Sequence, residues 1–378
     1  MKPILKSNSA LLATGPSPAW KTVQESGFFM PLVQSSEFSI SVDRQTSKQI
    51  GSQSYAVDDL TRSPNVGFNV SYLFSPYLVN EHLLGVYSEY LPMPSSMINR
   101  DQNFYLITNN QQGYDVLKDF SQAPVRTNFS GMTCASIGNC FLSNYSLQFN
   151  VGSIPTASCS FVGSNLKFEN LTGSRVTIPA INLESGNASG AGFVDFSGLA
   201  GSLLDEHSNA YRLPSLSPHN VEARLQNLQC GGTPLISGSG ALIQSVGINI
   251  PFDRTDLYGL GSNYVYGRKL NLPIRGSIDV AAIVQDFNSG DITAMNNSEQ
   301  VYSFKIEFFD STRSVFSSCV IENAKINSTS YSMNVNGTME FSASYSFDFG
   351  SGFWGIDELQ WSRIDQEWLN IVAFWNAL

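Results

Sequence analysis

The side chains of this chain that could do chemistry are few and scattered. Its three histidines, His82, His207 and His219, stand far apart. A zinc site gathers Cys, His or acidic ligands in paired spacings, and neither an HExxH nor a paired Cys/His frame occurs. Asp205-Glu206-His207 puts three donors in a row, which in so polar a segment reads as a solvated turn. There is no GxSxG nucleophile elbow and no phosphate-cradling Walker loop. The run from Gly350 to Gly355 (GSGFWG) matches GxGxxG letter for letter. A dinucleotide site there would need a βαβ unit of about 30 residues and an acid some 20 residues on, more chain than follows Gly355. Those glycines are expected instead to let the chain leave a last strand and enter a C-terminal helix. No catalytic residue, metal ligand or cofactor is therefore expected. A β-rich carbohydrate hydrolase stays open as an alternative, since it needs only two carboxylates facing one groove.

What must position any functional surface is a unit that occurs twice. Leu32–Ser52 aligns without a gap on Leu242–Ser262, an offset of 210 (242 − 32). The pairs include Gln34/Gln244, Ser35/Ser245, Asp43/Asp253, Arg44/Arg254, Gly51/Gly261 and Ser52/Ser262. A second block sets Asn144–Phe161 on Ser330–Phe347, ending in Ala-Ser-x-Ser-Phe both times. Two copies are too few for a solenoid, which needs about three units. The chain of 378 residues therefore reads as a fused pair of homologous domains.

Composition narrows the class. Hydrophobic residues make up 42% of the chain, enough for two cores, and charged residues only 14%. A net charge of −10 argues against a protein that grips nucleic acid through its phosphates. Like charge would still let a polyanion pass without sticking. The opening MKPILKSNSALLATGPSPAW has no apolar run of signal-peptide length, and nothing approaches 18 consecutive apolar residues. Neither secretion nor membrane insertion is expected. Five cysteines without a CxxC pair read as free buried thiols in a reducing cytoplasm.

Period-two alternation dominates, as in Phe38/Ile40/Val42, Phe68/Val70/Tyr72/Phe74, Ile248/Ile250/Phe252 and the run Met339 to Phe349. Each predicts a half-buried antiparallel strand. Short helices are expected at Pro76–Leu84 and Gly113–Phe120. In both copies a polar stretch of more than 20 residues follows the first strand, Asp43–Asn65 and Asp253–Arg275. Loops of that length are uncommon unless functional, so these read as matched arms that reach a neighbour; ordinary surface hairpins are the alternative. The Gly/Ser/Pro-rich 173–217 reads as a linker, and 1–30 as an extended arm. Near the C-terminus, Ile364, Trp368, Ile371 and Trp375 repeat at helical spacing and predict a helix that docks in a groove.

The segments SISVDRQTSKQIGSQSY, RSPNVGFNVSYLFSPYLVNEHLLG, NCFLSNYSLQFNVGSIPTASCSF and IQSVGINIPFDRTDLYGLGS resemble the tail tube proteins of long-tailed bacteriophages, in the form with two tube domains fused in one chain. The resemblance implies a mainly β fold. It would contain two tandem antiparallel β-sandwich or barrel-like tail-tube domains (31–172 and 218–350), each with a small helix, and a C-terminal helical extension (351–378). It also implies a virion protein assembled in the host cytoplasm, forming trimeric pseudo-hexameric rings that stack into a DNA-conducting tube. Its partners would be its own copies, terminator, tape-measure and baseplate proteins, and DNA in transit. On this resemblance Glu37, Ser39, Ser41, Asn69, Ser71, Asn249 and Asp279 are expected to face the lumen. Asp43, Arg44, Gly51, Asp253, Arg254 and Gly261 would belong to inter-ring arms. A distal-tail or baseplate-hub ring of the same fold is the runner-up, and a non-viral β adhesin or capsid-type protein comes next.

Overall fold

The computed structural model describes residues 10–15, 24–26, 28–30, 32–42, 44–48, 50–51, 53, 55–60, 64–75, 78, 80–81, 84–86, 101–109, 132–171, 175–181, 192–195, 217–226, 229–230, 233–234, 241–260, 265–284, 301–309, 315–333, 339–349 and 354–356. The first half carries β1 (Ala10–Gly15), β2 (Gln24–Ser26), β3 (Phe28–Phe29), β4 (Val33–Ser41), β5 (Arg44–Lys48), β6 (Tyr55–Leu60), β7 (Asn65–Leu73), β8 (Gln102–Asn109), β9 (Met132–Asn150), β10 (Thr156–Gly163), β11 (Asn165–Asn170), β12 (Arg175–Thr177) and β13 (Phe193–Asp195). The second carries β14 (Val221–Gln226), β15 (Gln229–Cys230), β16 (Thr233–Pro234), β17 (Ala241–Pro251), β18 (Arg254–Tyr258), β19 (Val265–Leu270), β20 (Arg275–Val284), β21 (Tyr302–Phe309), β22 (Val315–Met333), β23 (Met339–Asp348) and β24 (Trp354–Ile356). The protein is mainly β, as its alternating pattern requires: Val66, Phe68, Val70 and Tyr72 are buried on β7, while Asn65 and Asn69 are exposed.

One sheet of 15 strands runs through both halves. In the first half the pairing order is β1-β8-β9-β10-β7-β4. The same order recurs as β14-β21-β22-β23-β20-β17. The register recurs too. Glu37 faces Asn69 and Gly247 faces Asp279; Arg44 faces Leu60 and Arg254 faces Leu270. Even the irregularities match. The β4 ladder skips Gln34 and the β17 ladder skips Gln244, and each Gln donates Nε2 two residues back, to Leu32 O (3.1 Å) and Leu242 O (3.3 Å).

β9 serves two layers. Its part up to Cys140 pairs with β8 and β11, and its part from Phe141 on pairs with β10 and β17. Asn139 sits at the switch with φ 54°, and Asn323 occupies the same place on β22 with φ 57°. A strand that changes sheets turns at such a bulge, and Asn tolerates the left-handed conformation better than most residues. Phe104 on β8 then packs 4.4 Å from Phe68 and 4.7 Å from Phe161; Phe304 on β21 lies 4.8 Å from Tyr345. Phe308 reaches across to Phe74 (5.0 Å) and Phe149 (5.7 Å), so one core spans both halves.

The structure departs from the expectations in several places. The sequence match sets Phe161 on Phe347, whereas the ladders set Phe161 at the position of Tyr345 and Ala157 at that of Phe341. A slip of two residues keeps every side chain on its own face, so alternation alone does not resolve it. Trp354–Ile356, expected to lead into a helix, forms β24 along β22, as β11 does along β9. Within 1–30, β1 joins the main sheet through β8 and pairs in turn with β3. β12 and β13, inside the stretch read as linker, make a small sheet with β2 and bury Val176, Ile178 and Val194. Among the described residues the small helix expected in each domain is not seen as a complete element. Described helical residues are the 3-10 turn Pro218–Asn220 and Asn80–Glu81, where Leu84 N donates to Asn80 O (2.8 Å). Gly113–Phe120 lies outside the described residues.

Candidate functional site

Side chains directly opposite in neighbouring strands share a face. One row therefore runs across the main sheet through Ser71, Ser158, Ser146, Asn249, Ser277 and Ser346. The next row toward one end passes from Gly247 to Asp279 and Ser344, and toward the other from Glu37 to Asn69 and Ser160. All seven residues expected at a lumen lie on this one face: Glu37, Ser39, Ser41, Asn69, Asn249 and Asp279 are exposed and Ser71 half-buried. Hydroxyl and amide groups knit it locally. Ser330 and Ser342 are 2.6 Å apart at Oγ, and Ser346 Oγ donates to Asn327 Oδ1 (3.0 Å). Sequence reasoning missed two cations here. Arg275 stands opposite Asp348, with Nε 3.4 Å from Oδ1, and Lys325 stands opposite Ser346. Reading strand starts alone could not place them, because β22 belongs to this face only beyond its bend.

The seam between the halves is a ladder of β17 on the outer part of β9, from Ser245 opposite Asn150 to Pro251 opposite Asn144. Ile248, Ile250, Leu147 and Tyr145 are buried along it. The hairpin β18–β19 locks the seam. Arg268, whose side chain is 4% exposed, donates to Asn139 O (3.3 Å), Val162 O (3.1 Å) and Gly163 O (3.3 Å) in the first half and to Asp256 Oδ1 (3.0 Å) on its own hairpin. Arg254 donates Nε to Leu142 O (3.3 Å), and both guanidinium groups lie over the Phe141 ring, at 5.1 and 5.6 Å. Burial, with the Arg268 charge adding to it, pulls the Arg254 guanidinium down to about 10. Arg254 was expected on an arm reaching another ring; its guanidinium is engaged inside the chain. Sequence offered no signal for Arg268, because its partners are mostly main-chain carbonyls.

What projects from each hairpin is its tip. Ile50 and Leu260, one offset apart, are fully exposed. Gly51 turns the first tip with φ 88°, a conformation suited to glycine. Arg44 and Asp253 are also placed, at the base of each hairpin, with Asn271 N donating to Asp253 O (2.9 Å). Asp43, Gly261 and the helix residues Ile364, Trp368, Ile371 and Trp375 lie outside the described residues.

One buried acid was not anticipated. Glu81 accepts hydrogen bonds at Oε1 from Tyr72 (2.8 Å) and Tyr145 (3.1 Å), and burial raises its carboxyl to about 7 despite them. Four of the five thiols, Cys134, Cys140, Cys159 and Cys319, are free and buried, and burial pushes each upward. Among the described residues no helix is long and apolar enough to cross a membrane.

No family model and no curated protein matches this sequence. Among solved structures it is similar to a chain in the cryo-EM structure of the anti-feeding prophage baseplate, 6-fold symmetrised. That likeness has 9% identity and a TM-score of 0.28, over 45% of this chain and 98% of the other.

Proposed function

We propose that this chain is a structural virion protein of a phage tail. In this reading it is a fusion of two tube domains whose trimers form pseudo-hexameric rings, and the rings stack into a tube that conducts DNA. The observation that carries the reading is the seam. β17 continues the sheet of the first half without interruption, so the polar face crosses from one half to the other. A unit that joins its own two halves edge to edge is suited to join further units the same way. The recurring pairing order and register support descent of both halves from one domain. The serine- and asparagine-rich face, with Glu37 and Asp279 on it, supports a lumen that DNA slides past, since an acidic wall does not hold a polyanion. The exposed Ile50 and Leu260 support a role for the hairpin tips in contacts between stacked rings. In the tail the chain would also meet terminator, tape-measure and baseplate proteins. The reading assigns it no enzymatic activity, metal or cofactor.

Electron microscopy of the purified protein tests this. Stacked rings or tubes with a central channel are expected. Single rings that never stack would favour the distal-tail or hub alternative, and a protein monomeric at all concentrations would overturn both.

A further inference from the structure

The seam inside the chain has a counterpart left open at the two ends of the sheet. β4 holds the place of β17 in the repeated order and, among the described residues, is paired only with β7. Residues 328–333 of β22 hold the place of 144–149 on β9 and, among the described residues, are paired only with β23. At the seam, Ile250 and Phe252 are 0% exposed and Leu147 2%. Their counterparts at the open ends, Ile40, Val42 and Tyr331, are 54%, 41% and 43% exposed. The core-side surface that the seam covers is thus laid bare, in matching pieces, on two different edges of one molecule.

We propose that β4 of one copy seats on residues 328–333 of β22 in a second copy, in the register that β17 keeps on β9. This rests on the ring assembly proposed above and supplies its contact. Transferred residue by residue, the seam puts Phe38 opposite Tyr331, Ile40 opposite Thr329, Ser39 opposite Ser330 and Glu37 opposite Ser332. The first pair buries two large apolar side chains, and the polar pairs extend the serine rows into the next copy. The contact is head to tail, so it closes into a ring or runs on as a filament.

The lock on the seam also has a counterpart, with its charges rearranged. Arg44 stands where Arg254 does, but position 58 carries Asp in place of Arg268, and position 325 carries Lys in place of Phe141. Thr46 replaces Asp256. The seam gathers Arg254, Arg268 and Asp256 around an aromatic ring; at the copied positions the sequence carries Arg44, Lys325 and Asp58. Two cations and one anion are kept, with an acid at the position whose seam counterpart, Arg268, lies over the residue that Lys325 replaces. That complementarity selects a second copy of this chain as the occupant.

Paired cysteines test the register. Opposite positions on antiparallel strands lie about 4.5–5.5 Å apart, within disulfide reach, while positions two residues off lie at about 7–8 Å. In the full chain carrying Ser39→Cys and Ser330→Cys, mild oxidation is expected to give covalently linked multimers. The pair Ser41→Cys with Ser330→Cys should give few. Separately, Asp58→Lys or Lys325→Asp should weaken assembly roughly five-fold, and the double exchange should restore most of it. Assemblies in which the first pair stays unlinked, or in which the double exchange restores nothing, overturn this contact while leaving the tube reading intact. A chain that stays monomeric overturns both.

Discussion

In the first half of the molecule Tyr72, Tyr145 and Cys159 surround the buried carboxyl of Glu81; at the same ladder positions the second half carries Ala282, Thr329 and Ala343. The two halves keep one hydrogen-bond register while filling it with different chemistry. The backbone arrangement is therefore set by strand pairing, by the skipped Gln34 and Gln244 and by the bends at Asn139 and Asn323. Side-chain content differs around it. Counterpart residues also differ in what covers them, since the seam buries in one half what the other half exposes.

The largest effects should come from breaking that last difference. Ile250→Ala, at the seam, is expected to cost about 2–5 kcal/mol in urea unfolding of the dilute protein. Its exposed counterpart Ile40→Ala should stay within about 0.5 kcal/mol; equal losses would mean the two edges are equally covered. Arg268→Ala comes next, at about 3 kcal/mol, because three carbonyls and Asp256 lose a buried charged donor. Arg268→Lys should recover less than half of this, since an ammonium does not span the same fork.

Glu81 gives the first half a pH dependence tied to a cluster that the second half does not repeat. Its carboxyl titrates at about 7 in the fold against 4.5 for an ordinary glutamate. Between those values the unfolded chain has lost a proton that the folded chain retains, so stability falls as pH rises. The decline begins near the ordinary value, ends near 7, and has an upper limit of about 3 kcal/mol. Glu81→Gln should flatten that slope in unfolding curves taken across the window; an unchanged slope would assign it to other groups.

The smallest contrast is at the two bends. Asn139 donates Nδ2 to Asp101 (3.1 Å) and accepts from Ile181 N (2.9 Å), whereas Asn323 is exposed. Asn139→Gly should therefore destabilise by about 1–2 kcal/mol. Asn323→Gly should be neutral or stabilising by a few tenths, since glycine relieves the positive φ there. Both would be read from thermal melts.

How much of this was legible in the sequence differs by feature. Alternation identified β7, β17, β20 and β23, because one buried face leaves a two-residue signature. The match of Arg44 to Arg254 held in the ladders because no residue is inserted between β4 and β7 relative to β17 and β20. The second block slipped because a two-residue shift leaves the face pattern intact, and Ala-Ser-x-Ser-Phe is common chemistry for a polar strand. The seam was not legible at all. Its partners, Ile248 and Leu147, are about 100 residues apart in sequence, and nothing local marks an edge as occupied or open. The candidate face could be listed from alternation, but its continuity across β9 and β17 depends on that same long-range pairing.

The seam has a consequence for synthesis. The outer edge of β9 ends at Asn150, and the strand that fills it ends at Pro251. At roughly 5–20 residues per second, the ribosome needs about 5–20 s to make the intervening chain. During that interval β9 offers an open template, and a strand of the same pattern already exists: β4, on the same chain and on every neighbouring chain of the polysome. The native partner arrives late and must displace or outcompete a look-alike. Translation speed between residues 150 and 251 should therefore govern how much of the protein joins its own two halves and how much joins nascent neighbours into dead-end chains.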